Sequence, residues 1–421
     1  MKTILKSTVA TVILFSGMSM LAQNNRDLDN FRQPDQRGVN VFEAPKDTLT
    51  TFENLKVRIG GSFALQFQGV DHENSGAVPL IDIGDNFNLA TANLDLDVAL
   101  YDGVNMHLRT YLSSRHHPEP YVKGGYIQID KLDFVEEGFL KNIMDLTTIK
   151  IGHMENNYGD AHFRRSDNAQ TLYNPFVGNL IMDAFTTEVG AEVLVRKNGF
   201  LGMVGLTNGK LNQAVDNPDA SGVSFIGKLG YDSNISDDLR VRLTGSIYTT
   251  GKVANSYLYS ADRAGSRYYL VLEPEDATAK NNFRSGRYDP QLRNEITALM
   301  FNPFVKYKGL EFFGTLEFAN GKADAELDTR SANQYAGELI YRFGNNEKFY
   351  VGGRYNLVDA EDATNGDVEI TRFQASAGWF MTKNILMKME YVTQQHDGYP
   401  TSSIFNEGQF DGFLLEAAIS F

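Results

Sequence analysis

The sequence predicts an all-β chain, a 16-stranded antiparallel transmembrane β-barrel with long extracellular loops and short periplasmic turns. Three observations predict it. Apolar and polar residues alternate with period two in short runs along most of the chain, the connections between runs alternate short and long, and aromatic residues collect at the ends of even-numbered runs. Composition agrees: the 421 residues include 38 Gly, 20 Tyr and 28 Phe but a single Trp, and glycine with aromatics in short alternating runs marks β structure.

The chain opens with Lys2 and Lys6, an apolar stretch from Val9 to Leu21, and Ala22-Gln23. This reads as a secretory signal peptide over 1–22, cleaved after Ala22, because the apolar run is short for a membrane-spanning helix. Loss of the two lysines takes the net charge from -14 to -16, an acidity that argues against a nucleic-acid partner. Residues 23–54 are polar and irregular and are expected to form a periplasmic N-terminal tail.

The barrel is expected over 55–421. In "LKVRIGGSFALQFQGV", Val57, Ile59, Phe63, Leu65 and Phe67 share one face, opposite Lys56, Arg58, Ser62, Gln66 and Gln68. "LATANLDLDVAL" repeats the pattern, and an Asp102-Gly103 turn leads into "VNMHLRTYL". Continuing in this way gives sixteen strands, beginning near 55, 87, 104, 121, 147, 187, 200, 223, 239, 295, 310, 333, 349, 369, 385 and 409. Short turns alternate with longer connections at 71–86, 155–186, 208–222, 251–294, 320–332, 359–368 and 396–408. The turn at 134–145, "FVEEGFLKNIMD", is long for its side and has room for one helical turn.

Lipid is the reason to expect closure, since an open sheet edge in hydrocarbon leaves backbone groups unpaired at several kcal/mol each. With the tail on the periplasmic side, Tyr231, Tyr307, Tyr341, Phe343, Trp379 and Phe421 all fall at lower strand ends on the apolar face, as an interfacial aromatic girdle requires. Tyr101 misses this parity by one residue. The last run places Phe413, Leu415, Ala417, Ile419 and Phe421 on one face up to the final residue. A strand patterned to the chain end is expected where that strand must pair with the first. Phe413, Leu415, Ile419 and Phe421 also resemble the C-terminal signal read by the barrel-assembly machinery.

A barrel of sixteen strands encloses more space than its side chains fill. On the inward face fourteen basic residues, among them Arg109, Lys150, Arg242 and Arg372, stand against ten acidic ones such as Asp95, Glu192, Glu317 and Glu416. Rings of Arg and Lys favour anions; a mixed lumen in which the charges pair is the alternative. Loop 155–186 carries Phe176, Val177, Leu180 and Ile181, so it is expected to fold inward and set the constriction. There Arg164 and Arg165 are candidates to hold a passing anion, with Asp160 and Asp167 opposing them, unless the arginines pair with those aspartates. Loop 251–294, with Arg263, Arg267, Arg284, Arg287 and Arg293, either plugs the external mouth or forms an exposed lid.

No catalytic, cofactor or metal motif stands out, and no enzyme is expected. His116-His117 with Glu119 has zinc-ligand chemistry, but adjacent histidines on a short loop are ordinarily solvated. There is no His-Glu-x-x-His and no Gly-x-Ser-x-Gly.

The stretches "IKIGHMENNYGDAHFRRSDN" and "NLATANLDLDVALYDGVNMHLRTYL" resemble the phosphate-selective porin O and P family, and the likeness runs diffusely across the barrel. The resemblance implies a sixteen-stranded, usually trimeric outer-membrane channel of a Gram-negative bacterium, with anionic solutes such as phosphate as cargo and outer-membrane lipid and lipopolysaccharide around it. Members bind phosphate through lumen arginines and a lysine cluster. Arg164 and Arg165 occupy the matching loop here without such a cluster, so what carries over is an anion-leaning channel. An occluded barrel that binds partners through its loops is the second expectation.

Overall fold

A computed structural model describes residues 27–112, 120–209, 222–251, 253–261 and 267–421. The expected leader, His116-His117 with Glu119, and Arg263 lie outside the described residues. Sixteen antiparallel strands pair in chain order and close on themselves. They are β1 (Lys56–Glu73), β2 (Asn86–Tyr101), β3 (Val104–Leu112), β4 (Tyr121–Ile129), β5 (Thr147–Glu155), β6 (Thr187–Lys197), β7 (Phe200–Thr207) and β8 (Ser224–Asn234), followed by β9 (Leu239–Thr250), β10 (Glu295–Tyr307), β11 (Leu310–Lys322), β12 (Arg330–Phe343), β13 (Phe349–Asp362), β14 (Gly366–Thr382), β15 (Ile385–Asp397) and β16 (Gln409–Ser420). Closure runs from Ser62↔Ser420 to Glu73↔Gln409. Phe421 finishes the seam by exchanging backbone hydrogen bonds with Gly61, each 3.0 Å.

The two faces divide as the alternation predicts. Leu229 is 73% exposed and Phe200 65%, whereas Gln334, Glu317 and Glu390 are at 0%. Apolar outside and polar inside inverts the usual partition of a water-soluble domain and suits a barrel bathed in lipid. At the lower rim the rings of Tyr341, Phe343, Phe349 and Trp379 stack in series at 5.9, 5.7 and 6.3 Å. Phe413 and Leu415 face outward on β16.

Bulges account for the parity errors. A register shift between Ala99 and Tyr101 turns Tyr101 outward into the girdle. A second shift, opposite Arg109/Thr110, leaves Lys123 unpaired on β4 and points it inward. Several upper strands also run past the expected boundaries, so the loop expected at 320–332 shrinks to 323–329 and that at 359–368 to 363–365. The 134–145 turn does contain one α-helical turn, α1 (Lys141–Met144).

The N-terminal segment is not a free tail. Residues 27–54 form no strand, but Leu28, Phe31, Asp35, Asn40 and Phe42 are buried, and the segment contacts inward-facing wall residues. Phe42 packs against Phe304 and Phe313 on β10 and β11, with ring centroids 5.4 and 6.5 Å away. Lys46 reaches Asp130 at 3.2 Å. The segment is polar in composition, which hid its burial; its charges are met by lumen charges instead of water.

Candidate functional site

The lumen holds three irregular segments, and buried irregular backbone needs polar partners. Loop 156–186 turns in after Glu155, helped by left-handed backbone at Gly159, Asn168 and Ala169. The wall supplies its hydrogen bonds. Glu390 on β15 accepts from the backbone N–H of Val177 (2.7 Å) and of Gly178 (3.3 Å). Asn356 on β13 accepts from Ile181 N–H at 2.7 Å. Gln334 on β12 both accepts from Met182 N–H and donates to its carbonyl. Gly178 has no room for more: an added Cβ would lie 1.9 Å from the Tyr268 hydroxyl oxygen. The loop's Ile181 and Met182 pack into one apolar cluster with Tyr158, Tyr259, Ile296 and Met300.

Loop 251–294, which joins β9 to β10 at the same end of the barrel, rests on this loop. Tyr259 donates to Glu317 at 2.8 Å and Tyr268 to Glu390 at 2.8 Å. Tyr288 N–H donates to Ile181 O at 2.9 Å, and Arg267 pairs with Glu416. It therefore plugs the outer half of the lumen. Its rim carries a titratable group. Burial pushes the Glu273 carboxyl up to about 7, although Asn282 donates to it at 2.6 Å. Below the ordinary value of 4.5 the acid is neutral whether the lid is packed or not, so there is no penalty. From there to about 7 the packed state must hold a proton that the open state loses, so lid stability falls as pH rises. Limited proteolysis of loop 251–294 is thus expected to run faster at about pH 8 than at about pH 5, and Glu273→Gln is expected to remove that difference.

The charged residues expected at the constriction are placed as follows. Arg164 and Arg165 are buried at 3% and 2% exposure. Arg164 meets Glu338 at 3.1 Å and Asn40; Arg165 meets Asp183 at 2.6 Å and Asp167 at 3.6 Å. Neither presents a free guanidinium to a passing solute. Asp160 accepts from Lys228 (2.7 Å), Arg242 (2.8 Å) and Thr244 (2.7 Å), and Asp167 pairs with Lys123. Arg242 also meets Glu43 of the N-terminal segment at 2.8 Å. Burial alone would raise the Glu43 carboxyl, but Lys228 and Arg242 outweigh it and hold it well below the usual carboxylate range. Arg372 is buried against neutral acceptors, donating to Gln394 (2.6 Å), Asn179 O (2.8 Å) and Gly286 O.

Arg109 and Lys150 are different. Both are only half-buried and line a cavity of about 180 Å³ between β1–β5, the N-terminal segment and loop 156–186. Arg109 pairs with Asp95 at 2.7 Å, and Lys150 with Glu192 at 3.3 Å. Arg58 and His107, which share Asp97, also line this cavity, at 2.7 and 2.6 Å from it. So does Arg32, which donates to the backbone carbonyls of Gly38 and Phe163 and lies 3.6 Å over the Tyr173 ring. Burial brings the Arg32 guanidinium down to about 10. Strict alternation misses Lys123 because of the bulge; Arg32 and Glu43 lie in a segment with no periodicity to read.

No family model matches the sequence. No curated protein matches it either. Solved structures do match. The trimer form of OmpT, an outer membrane protein of Vibrio cholerae, is 11% identical, with 88% of this chain and 100% of that one covered at a TM-score of 0.53. The anion-selective porin from Comamonas acidovorans is 11% identical over 87% of this chain and 100% of that one, at 0.55. The outer membrane channel DcaP of Acinetobacter baumannii is 9% identical over 89% and 99%, at 0.52.

The fold is that of an outer-membrane porin.

Within this porin fold the inward wall, the infolded loop and the cavity beside Arg109 and Lys150 make up the candidate site.

Proposed function

We infer that the protein is an outer-membrane channel of a Gram-negative bacterium, passing small hydrophilic solutes by diffusion with a lean toward anions such as phosphate. The observation that carries this is the cavity along β1–β5, lined by Arg109 and Lys150, each paired with a carboxylate yet keeping part of its side chain exposed, whereas Arg164, Arg165 and Arg242 are buried in ion pairs. Arg32, with no carboxylate within salt-bridge distance among the described residues, adds positive charge to the same space. The neighbour described as an anion-selective porin is compatible with this reading. A homotrimer, assembled by the barrel-assembly machinery and surrounded by lipid and lipopolysaccharide, is the expected setting; one neighbour is described as a trimer.

Planar-bilayer recording under a salt gradient tests the sign. An anion-selective reversal potential is expected, and Arg109→Glu is expected to move it toward cations, since a unit charge beside a narrow, poorly screened path dominates the local field. A cation-selective wild type defeats the anion lean. The filled lumen favours a second reading, an occluded barrel that binds partners through its loops. A folded barrel that never conducts would favour it.

A further inference from the structure

The segment expected to trail into the periplasm instead seals the lower mouth of the barrel, and its contacts are of a kind that can be released. Gln36 N–H donates to Lys383 O at 2.8 Å, tying the segment to the β14–β15 turn at the rim. Arg240 donates to Asn40 O at 2.9 Å. Deeper in, Glu43 meets Lys228 at 3.1 Å and Arg242 at 2.8 Å. Phe42 is its apolar anchor at that depth, 3% exposed among Phe163, Phe304 and Phe313.

Three features separate this segment from the wall. It forms no strand and joins no sheet; its one regular element is a three-residue 3-10 turn, Gln36–Gly38. Its hold on the deep lumen rests on side-chain contacts and not on sheet pairing: Glu43 on Lys228 and Arg242, Asn40 on Arg164 and Glu311, Arg32 on the Phe163 carbonyl, and Phe42 among three rings. Lys228 and Arg242 retain Asp160 as a partner if Glu43 departs, so withdrawal does not strand two buried cations. Beside it, a cavity of about 390 Å³ lies between Val41–Glu43 and the β6–β7 turn, leaving room for it to shift.

We propose that residues 27–54 are a detachable plug of the periplasmic mouth, that the closed state is the one with Phe42 and Glu43 seated, and that conduction requires their withdrawal. The proposal rests on the channel reading above. It makes the N-terminal segment, and not loop 156–186 alone, the element that decides when the path is open.

The chain has no cysteine, so a crosslink can be introduced cleanly. Gln36→Cys with Lys383→Cys joins two residues whose backbones are already hydrogen-bonded, and folding can be checked by heat-modifiable gel mobility. In single-channel recordings the oxidised pair is expected to lose the openings that the reduced pair shows, with reductant restoring them. Glu43→Gln is expected to raise the open probability about tenfold, the factor that corresponds to losing about 1.4 kcal/mol of plug attachment. Equal conductance of oxidised and reduced protein, or failure of a folded barrel to form the crosslink, would overturn the plug while leaving the channel reading intact. Absence of conductance from the reduced pair, the wild type and Glu43→Gln alike would instead overturn the channel reading, and the plug proposal with it.

Discussion

Asp160→Asn is expected to destabilise the folded barrel by roughly 3–5 kcal/mol, the range for removing one partner from a buried ion cluster. The carboxylate is fully buried and accepts from Lys228, from two nitrogens of Arg242 and from Thr244. Asparagine keeps the shape but not the charge, leaving Glu43 to Lys228 and Arg242 together and Asp232, at 3.1 Å, to Arg242. Those remaining carboxylates place the expected loss toward the lower end of the range. It also predicts strong coupling, with Asp160→Asn and Glu43→Gln together costing more than their sum. Urea unfolding in lipid vesicles, read from the shift in midpoint at constant slope, measures both. An unchanged midpoint for the single variant would mean that the buried cluster is energetically neutral and that loop 156–186 is held by its backbone hydrogen bonds.

Leu96→Arg is expected to cost roughly 2–4 kcal/mol, the value for a cationic side chain on the lipid face near the bilayer midplane. Leu96 lies on the outward face of β2, beside Ile59 on β1 and Leu108 on β3. Its inward neighbours Asp95 and Asp97 already carry the charge of that strand and are matched by Arg109 and Arg58. On the inward side of β2 the neighbours are the carboxylates of Asp95 and Asp97 and the cavity they line, so the hydrocarbon penalty is specific to the outer face. Folding titrations of Leu96→Arg beside Leu96→Ala separate the cost of charge in lipid from the loss of packing. If arginine proved no worse than alanine, that face would not be touching hydrocarbon.

Most of the barrel was readable because its rule is local. Each strand separates lipid from lumen, and that needs only the parity of neighbouring residues. The strand starts read from alternation at 104, 121, 147, 187, 200, 239, 295, 310, 349, 385 and 409 are those of the structure. Where parity failed, a bulge had inserted a residue, as at Ala99/Tyr101 and beside Lys123. The inward charges of the wall were legible for the same reason. Their consequence was not: Arg164 and Arg165, read as candidates to hold an anion, spend their charge on Glu338 and Asp183.

Local alternation was therefore enough to settle the architecture, the lipid-facing surface and the identity of the lumen wall. Whether that lumen is open is decided by partners far apart in the chain. Val177 hangs from Glu390 across 213 residues, and Arg242 meets Glu43 across 199. No window of sequence contains both members of such a pair, and the segments that fill the barrel have no period of their own. Which charges stay available to a solute, and which are consumed in holding the plugs, is set only when the barrel closes and brings those partners within hydrogen-bonding distance.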